Sequence, residues 1–459
     1  MMLLSQAAQA LHARIEGADP RFTTVSTDTR TIMPGDLFIA LKGENFDGAR
    51  FVGQAAQAGA VAAVVNADSV IENAPCPIVR VADTRLALGQ LAAHWRRQFD
   101  IPLVAITGSN GKTTVKEMLA AILRAEIGDV ESVLATQGNY NNDIGMPLTL
   151  LKLRATHRFA VIEMGMNHPN EIDYLTRIAR PDVALVNNAA GAHLQGLGSV
   201  EGVARAKGEI FAGLGETGTA VINADDAYAA MWRSLAGTHH VIDFALERAA
   251  AVKGEWSVQG YGGVLRALTP AGKLQVELQI PGEHNAMNAL AATSIALALE
   301  VPLATIEKAL HGFGGVAGRL QRKQALRNAV LIDDTYNANP ASVHAALEVL
   351  AQAQGTRIFV LGDMGELGAN AAQFHRELGI AARELGIEKI LALGTLSAEA
   401  VREFGAGARH FDNVEALNSA LNEELDARTT VLVKGSRFMK MERVVQFCAL
   451  HKEEACCSH

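Results

Sequence analysis

Short apolar runs, each closed within two residues by a glycine, asparagine, aspartate or glutamate, recur along the chain and alternate with stretches of helical periodicity. The runs include Val104-Ala105-Ile106, Phe159-Ala160-Val161-Ile162, Val183-Ala184-Leu185-Val186 and Thr219-Ala220-Val221-Ile222. Further on come Val330-Leu331-Ile332, Ile358-Phe359-Val360-Leu361, Ile390-Leu391-Ala392-Leu393 and Val431-Leu432-Val433. Unbroken apolar strands are those covered on both faces, and helices between them imply parallel sheets. The expected fold class is α/β, doubly wound.

Three units are expected. Residues 1–100 read as a small α/β domain: strand-like pieces around Thr24 to Arg30 and Pro34 to Gly43, a helix over Phe51 to Ala58, a strand over Val61 to Val65, and a helix over Thr84 to Gln98. Asp100-Ile101-Pro102 marks the boundary. Residues 101–314 form a central parallel-sheet domain. Within it, residues 251 to 280 alternate and turn at glycines like an antiparallel ribbon, and a long alanine-rich helix runs on to Leu299. Residues 315–459 repeat the strand and helix alternation as a second, Rossmann-like doubly wound sheet.

Composition narrows the class. A chain of 459 residues with 49% hydrophobic and 20% charged residues suits a soluble multidomain protein. The net charge of −8 argues against nucleic acid as a partner. The longer apolar runs are strand length, so no membrane span is expected, and no secretory signal is visible at the N-terminus. Cys76, Cys448, Cys456 and Cys457 fit neither a disulfide framework nor metal spacing, which makes the cytoplasm the expected compartment.

The chemistry centres on Thr107-Gly108-Ser109-Asn110-Gly111-Lys112-Thr113-Thr114, a glycine-bearing loop between an apolar strand and a helix. Backbone amides of such a loop, with a helix N-terminus behind them, receive phosphate. Lys112 would reach the β- and γ-phosphates, and the Thr113 hydroxyl would face Mg²⁺. The generic pattern places its first glycine where Ile106 stands here. Strand ends carry ligands in such sheets, and Glu163 stands there as a metal-binding or water-orienting carboxylate. Its bland alternative is a loop cap. His193 follows the next strand; imidazole is an unusual ligand for Mg²⁺, and a lone loop histidine is more often a bystander. Lys207, on its residues alone, reads as a solvated helix charge. The loop 136–147, with Asn139, Asn141 and Asn142, suits a polar ligand or plain turn chemistry. Arg319 stands at a unit junction, able to swing onto a phosphate. No Ser-His-Asp set, Cys-His pair or zinc spacing occurs, so phosphoryl transfer without a covalent enzyme nucleophile is the implied chemistry.

Taken together these motifs resemble the Mur ligases of peptidoglycan synthesis. The resemblance rests on the Thr107 to Thr114 loop, Gly138-Asn139 with Asn141-Asn142, Glu163, His193, Ala206-Lys207, His284-Asn285 with Asn288, Arg319, and Asp334 with Tyr336-Asn337. The family's own loop carries the late glycine. Asn142 to Pro147, Ala206 to Phe211, Asp334 to Pro340 and Leu361 to Gly368 resemble the branch that adds D-alanyl-D-alanine to a UDP-N-acetylmuramoyl-tripeptide. The Asn-Pro-Arg motif of the branch acting one step earlier is absent.

The resemblance implies roles. Ser26, Asp28, Arg30 and Lys42 would lie near the uridine diphosphate. Gly108, Ser109, Asn110, Gly111, Lys112, Thr113 and Thr114 would hold the ATP phosphates, with Asn285 and Asn288 near adenine and Arg319 and Asp334 on the nucleotide. Asn139, Asn141, Asn142, Tyr336 and Asn337 would meet the peptide substrates. Thr113 and Glu163 would hold one Mg²⁺; His193 and a carbamylated Lys207 would help hold a second. Lys112, Lys207, His193 and Glu163 are thus the expected catalytic set, in a monomeric, ATP-dependent ligase of cell-wall synthesis working through an acyl phosphate. Relatives often carry a histidine near Ala49, in the stretch Asp47-Gly48-Ala49-Arg50. Two rivals share parts of this reading: folylpolyglutamate synthase, disfavoured by the first domain and the Asp334 loop, and a nucleotide-gated binding module.

Overall fold

The computed structural model describes residues 1–43, 46–191 and 194–449. Three larger sheets follow one another along the chain. The first, five-stranded, takes Ile15–Glu16, Ile78–Val81, Ala62–Asn66, Leu37–Ile39 and Val25–Ser26 in that spatial order. All pairs in it are parallel except the first. The helix Thr84–Arg96 follows, with the Asp83 carboxylate accepting from the amides of Arg85 and Leu86 at its start.

The central sheet has nine strands. Leu103–Thr107 lies between Val183–Val186 and Phe159–Glu163, both parallel to it. Thr219–Asn223 and His240–Ala245 continue the parallel part. The 251–280 ribbon is a three-stranded meander, Val252–Gln259, Gly262–Thr269 and Gly272–Leu278, joined to the edge of the same sheet. Lys112–Ile127 and Glu283–Ala298 pack on one face, where Val115, Met118, Leu119 and Ile122 meet Ala286, Ala289 and Leu290.

The last sheet runs Gln321–Gln324, Val330–Asp334, Thr429–Lys434, Thr356–Gly362, Lys389–Leu393, Ala408–Phe411. It is parallel apart from its first, antiparallel edge strand. That edge strand is polar and half-exposed, and Ala408–Phe411 is mostly exposed, so neither carries the apolar run that marks the buried strands.

Core placement separates the units unequally. One cluster of buried apolar side chains runs from Leu4, Phe22 and Leu37 through Leu88 and Leu91 to Leu150, Ile172, Leu175 and Trp232, joining the first sheet to one face of the central one. The last sheet has its own two cores, one on each face. Among the described residues, no helix is long and apolar enough to cross a membrane.

Candidate active site

The carboxyl ends of the central strands open into a cavity of about 820 Å³. Its walls come from all three sheets: Arg85 from the first unit, the 109–114 loop and the 138–143 loop from the second, and Arg319, Asp334, Tyr336 and Lys434 from the third. This is where an open parallel sheet places ligands.

The glycine loop leaves the strand Leu103–Thr107 and enters Lys112–Ile127 through Gly111 at φ +80°. A side chain there is excluded twice over. The left-handed backbone disfavours it, and a Cβ would stand 2.2 Å from Asn288 Oδ1 and 2.5 Å from Asn187 Nδ2. The loop is braced from the next strand end: Asn188 Oδ1 accepts from the Asn110 amide at 2.8 Å, and Ser109 Oγ accepts from the Ala190 amide at 2.9 Å. Lys112 Nζ donates to the Gly108 carbonyl at 2.6 Å. Its pKa is lowered chiefly by burial; Glu163 opposes that shift and Arg319 adds to it.

Glu163 is buried and ends its strand. Its Oε2 accepts from the Thr113 hydroxyl at 3.0 Å and its Oε1 from Asn141 Nδ2 at 2.9 Å. Its amide donates to Thr136 Oγ1 at 2.9 Å. The carboxylate therefore faces the phosphate loop with both oxygens oriented. Among the described residues no three of His, Cys, Asp and Glu gather as a metal site. The oxygen pair of Thr113 and Glu163 nevertheless matches the donors a hard divalent cation takes when phosphate oxygens and water complete its shell.

Lys207 is not the solvated charge its sequence position suggests. It is 1% exposed, and its Nζ stands 3.8 Å from Met166 Sδ. Burial first, then the charge of Lys112, push its pKa well below the ordinary lysine value, against the pull of Glu163. His193 lies outside the described residues.

From the last sheet, Arg319 NH2 donates to Thr113 Oγ1 at 2.9 Å, and its guanidinium lies 4.2 Å from the Tyr336 ring centroid. Asp334 accepts from Lys434 Nζ at 2.5 Å, and burial raises its carboxyl despite that cation. Asn339 Nδ2 donates to Asn110 Oδ1 at 2.8 Å. Asn337 lines the cavity, with Oδ1 accepting from the Arg437 amide at 3.3 Å.

Asn285 and Asn288 are buried on the helix Glu283–Ala298 and reach the cavity wall. Beside them, burial and then the Lys434 charge lower His284 to about 4. Asn139, Asn141 and Asn142 also line the cavity, though Asn142 Oδ1 caps the short helix after it by accepting from the Gly145 amide at 2.8 Å. Thr114 is in the wall as well. Ser26, Asp28, Arg30 and Lys42 form a separate group on the first unit and are not in this wall. Ser26 Oγ bonds the Asp28 carbonyl at 3.0 Å, and Arg30 holds the Asp28 carboxyl down to about 2. Lys42 Nζ pairs with Asp68 at 2.7 Å.

Sequence reasoning missed Arg85, whose guanidinium pairs with Asp143 across the first two units. It also missed Lys434 as a charge partner and Asn339 as a loop contact. An arginine in a helix carries no local signal. Lys434, by contrast, follows an apolar strand at its carboxyl end, as Glu163 does.

Comparison with known proteins agrees with this architecture. Residues 21–96 match the Mur ligase family catalytic domain, residues 106–296 the Mur ligase middle domain, and residues 318–437 the Mur ligase glutamate ligase domain. The chain is 44% identical over 457 residues, 99% of each chain, to the UDP-N-acetylmuramoyl-tripeptide–D-alanyl-D-alanine ligase of Escherichia coli (strain K12). A crystal structure of MurF from Acinetobacter baumannii superposes with a TM-score of 0.90 at 38% identity, covering 97% of this chain and 98% of that one. The MurF ligase from Thermotoga maritima in complex with ADP gives a TM-score of 0.81 at 26% identity, over 92% and 96%. With three family domains in register along a chain of matching length, the protein belongs to the Mur ligase family.

Proposed function

We propose that this chain is an ATP-dependent amide ligase that joins D-alanyl-D-alanine to UDP-N-acetylmuramoyl-tripeptide through an acyl phosphate, giving the pentapeptide precursor of peptidoglycan, ADP and phosphate. The observation that carries the mechanism is the meeting of Glu163 and Arg319, both in the wall of a cavity shared by all three units, on the Thr113 hydroxyl behind it. The substrates follow from the near-full-length likeness to ligases of that name.

Each unit then has a task. Residues 1–100, with Ser26, Asp28, Arg30 and Lys42, take the UDP-sugar. Residues 101–314 take ATP, its phosphates on Gly108 to Thr114 and its base against Asn285 and Asn288. Residues 315–459 bring Arg319 and Asp334 to the nucleotide, and Tyr336 and Asn337 to the dipeptide. Asn139, Asn141 and Asn142 face the tripeptide end. A cytoplasmic enzyme suits these soluble substrates.

The tripeptide carboxylate attacks the γ-phosphorus and ADP departs, leaving an acyl phosphate. Lys112 and Arg319 stabilise the charge that spreads over the transferring group. The amine of D-alanyl-D-alanine then attacks the activated carbonyl, phosphate leaves, and the nitrogen loses a proton. Closure of the last unit over the loop excludes water that would otherwise hydrolyse the acyl phosphate. Thr113 and Glu163 are the residues that would hold Mg²⁺; when bound, the ion neutralises phosphate charge. Lys207 as an amine is a poor ligand for it. Burial favours its neutral form, the one that takes up carbon dioxide, and the resulting carbamate would supply a second anionic oxygen site together with His193.

ADP release that requires both UDP-N-acetylmuramoyl-tripeptide and D-alanyl-D-alanine tests this reading. Hydrolysis that proceeds equally without them would replace it with a nucleotide-driven switch.

A further inference from the structure

A run of asparagine amides crosses the floor of the cavity. Asn285 Nδ2 donates to the Pro281 carbonyl at 2.7 Å, and Asn288 Nδ2 donates to Asn285 Oδ1 at 3.2 Å. Asn187 Nδ2 donates both to Asn288 Oδ1 and to the Asn110 carbonyl, each at 3.0 Å. Asn110 Oδ1 in turn accepts from Asn339 Nδ2 at 2.8 Å. One hydrogen-bonded path thus links the helix Glu283–Ala298, the phosphate loop and the last unit.

Asn187 is the joint. It is 1% exposed, sits just past the strand Val183–Val186, and lies behind the cavity wall. Its orientation is forced, because a turned amide would set its oxygen against two acceptors. Held this way, its Oδ1 is buried with no protein partner among the described residues. The missing side chain of Gly111 is what lets the Asn187 and Asn288 amides meet against the loop.

We infer that Asn187 is a positioning residue that couples the seating of the nucleotide base on Asn285 and Asn288 to the shape of the phosphate loop and to docking of the last unit through Asn339. The inference rests on the base-binding role proposed for Asn285 and Asn288. The coupling makes base identity felt at the phosphates, by a residue behind the cavity wall.

Steady-state kinetics of the full-length enzyme test it. Asn187→Ala removes two neutral hydrogen bonds and should raise KM for ATP about tenfold with kcat changed less than about threefold. It should also lower the ATP-over-GTP preference in kcat/KM. Asn187 and Asn339 do not touch, yet the double variant with Asn339→Ala should be non-additive in kcat/KM for ATP by about threefold or more. Asn187→Leu, close in size and shape but lacking the donor, should repeat the KM effect and guards against cavity collapse in the alanine variant. A lower melting temperature and kcat with unchanged KM for ATP, unchanged base preference and an additive double variant would overturn the coupling. Asn288→Ala keeps the two claims apart. If it leaves KM for ATP unchanged, the base-binding role fails first; if it raises KM while the Asn187 variants do not, only the coupling fails.

Discussion

The Arg319 guanidinium rests on the Thr113 hydroxyl at 2.9 Å, bringing a residue of the last unit onto the threonine of the phosphate loop. The same hydroxyl donates to Glu163. Arg319→Ala should therefore lower kcat about 10²- to 10³-fold, the scale for losing one preorganised charge at a transferring group. Arg319→Lys should restore little, since an ammonium reproduces neither the planar fork nor the stacking on Tyr336. Quenched-flow measurement of ADP formation checks this; a kcat within threefold of the parent would remove Arg319 from the mechanism.

Lys434 and Asp334 form a buried pair. Lys434→Met strands the Asp334 carboxylate and should cost about 3–5 kcal/mol of stability in the last unit. The double variant Lys434→Met with Asp334→Leu should recover most of that loss in denaturant unfolding without recovering ligase turnover. Equal stability of the single and double variants would show that the pair is solvated.

Lys207 gives a pH signature. Its folded pKa lies well below the unfolded value of about 10.4. Between the two, the unfolded chain binds the extra proton, so stability rises with pH through that window. Lys207→Met should be the more stable protein at pH 7 in carbon-dioxide-free buffer, and its advantage should shrink as pH approaches 10. Turnover should fall sharply in the same variant. Parallel stability curves for the two proteins would contradict a lowered Lys207 pKa.

Gly111→Ala places a methyl group on the Asn187–Asn288 contact and in a left-handed backbone. A cost of about 1–3 kcal/mol is expected from the strain alone. Calorimetric titration with ADP should show affinity lost in excess of any stability change, because the displaced groups support the loop itself.

Much of this was legible in the sequence. The buried parallel strands announce themselves as unbroken apolar runs, and Glu163 and the Asp334 loop stand where an open sheet exposes its ends. Gln321–Gln324 was not legible because it is a polar edge strand held by pairing alone. Lys207 read as a surface charge because its environment comes from elsewhere in the chain, Met166 and Lys112. Arg85 and Asn339 act across unit boundaries, and no local pattern encodes a partner some sixty or two hundred positions away.

The shared apolar core of the first two sheets has a consequence for how the molecule comes apart. Residues 1–100 bury Leu88 and Leu91 against the central unit, so freed from it they would expose an aggregation-prone face. The last sheet closes its own cores and meets the phosphate loop through polar contacts such as those of Arg319 and Asn339. Proteolytic cleavage near residues 314 to 317 should release a C-terminal fragment that refolds alone, while no cut near residue 100 should yield a soluble N-terminal piece. On that outcome the protein would come apart as two folding bodies built from three structural units, and the seam between those bodies runs along the cavity.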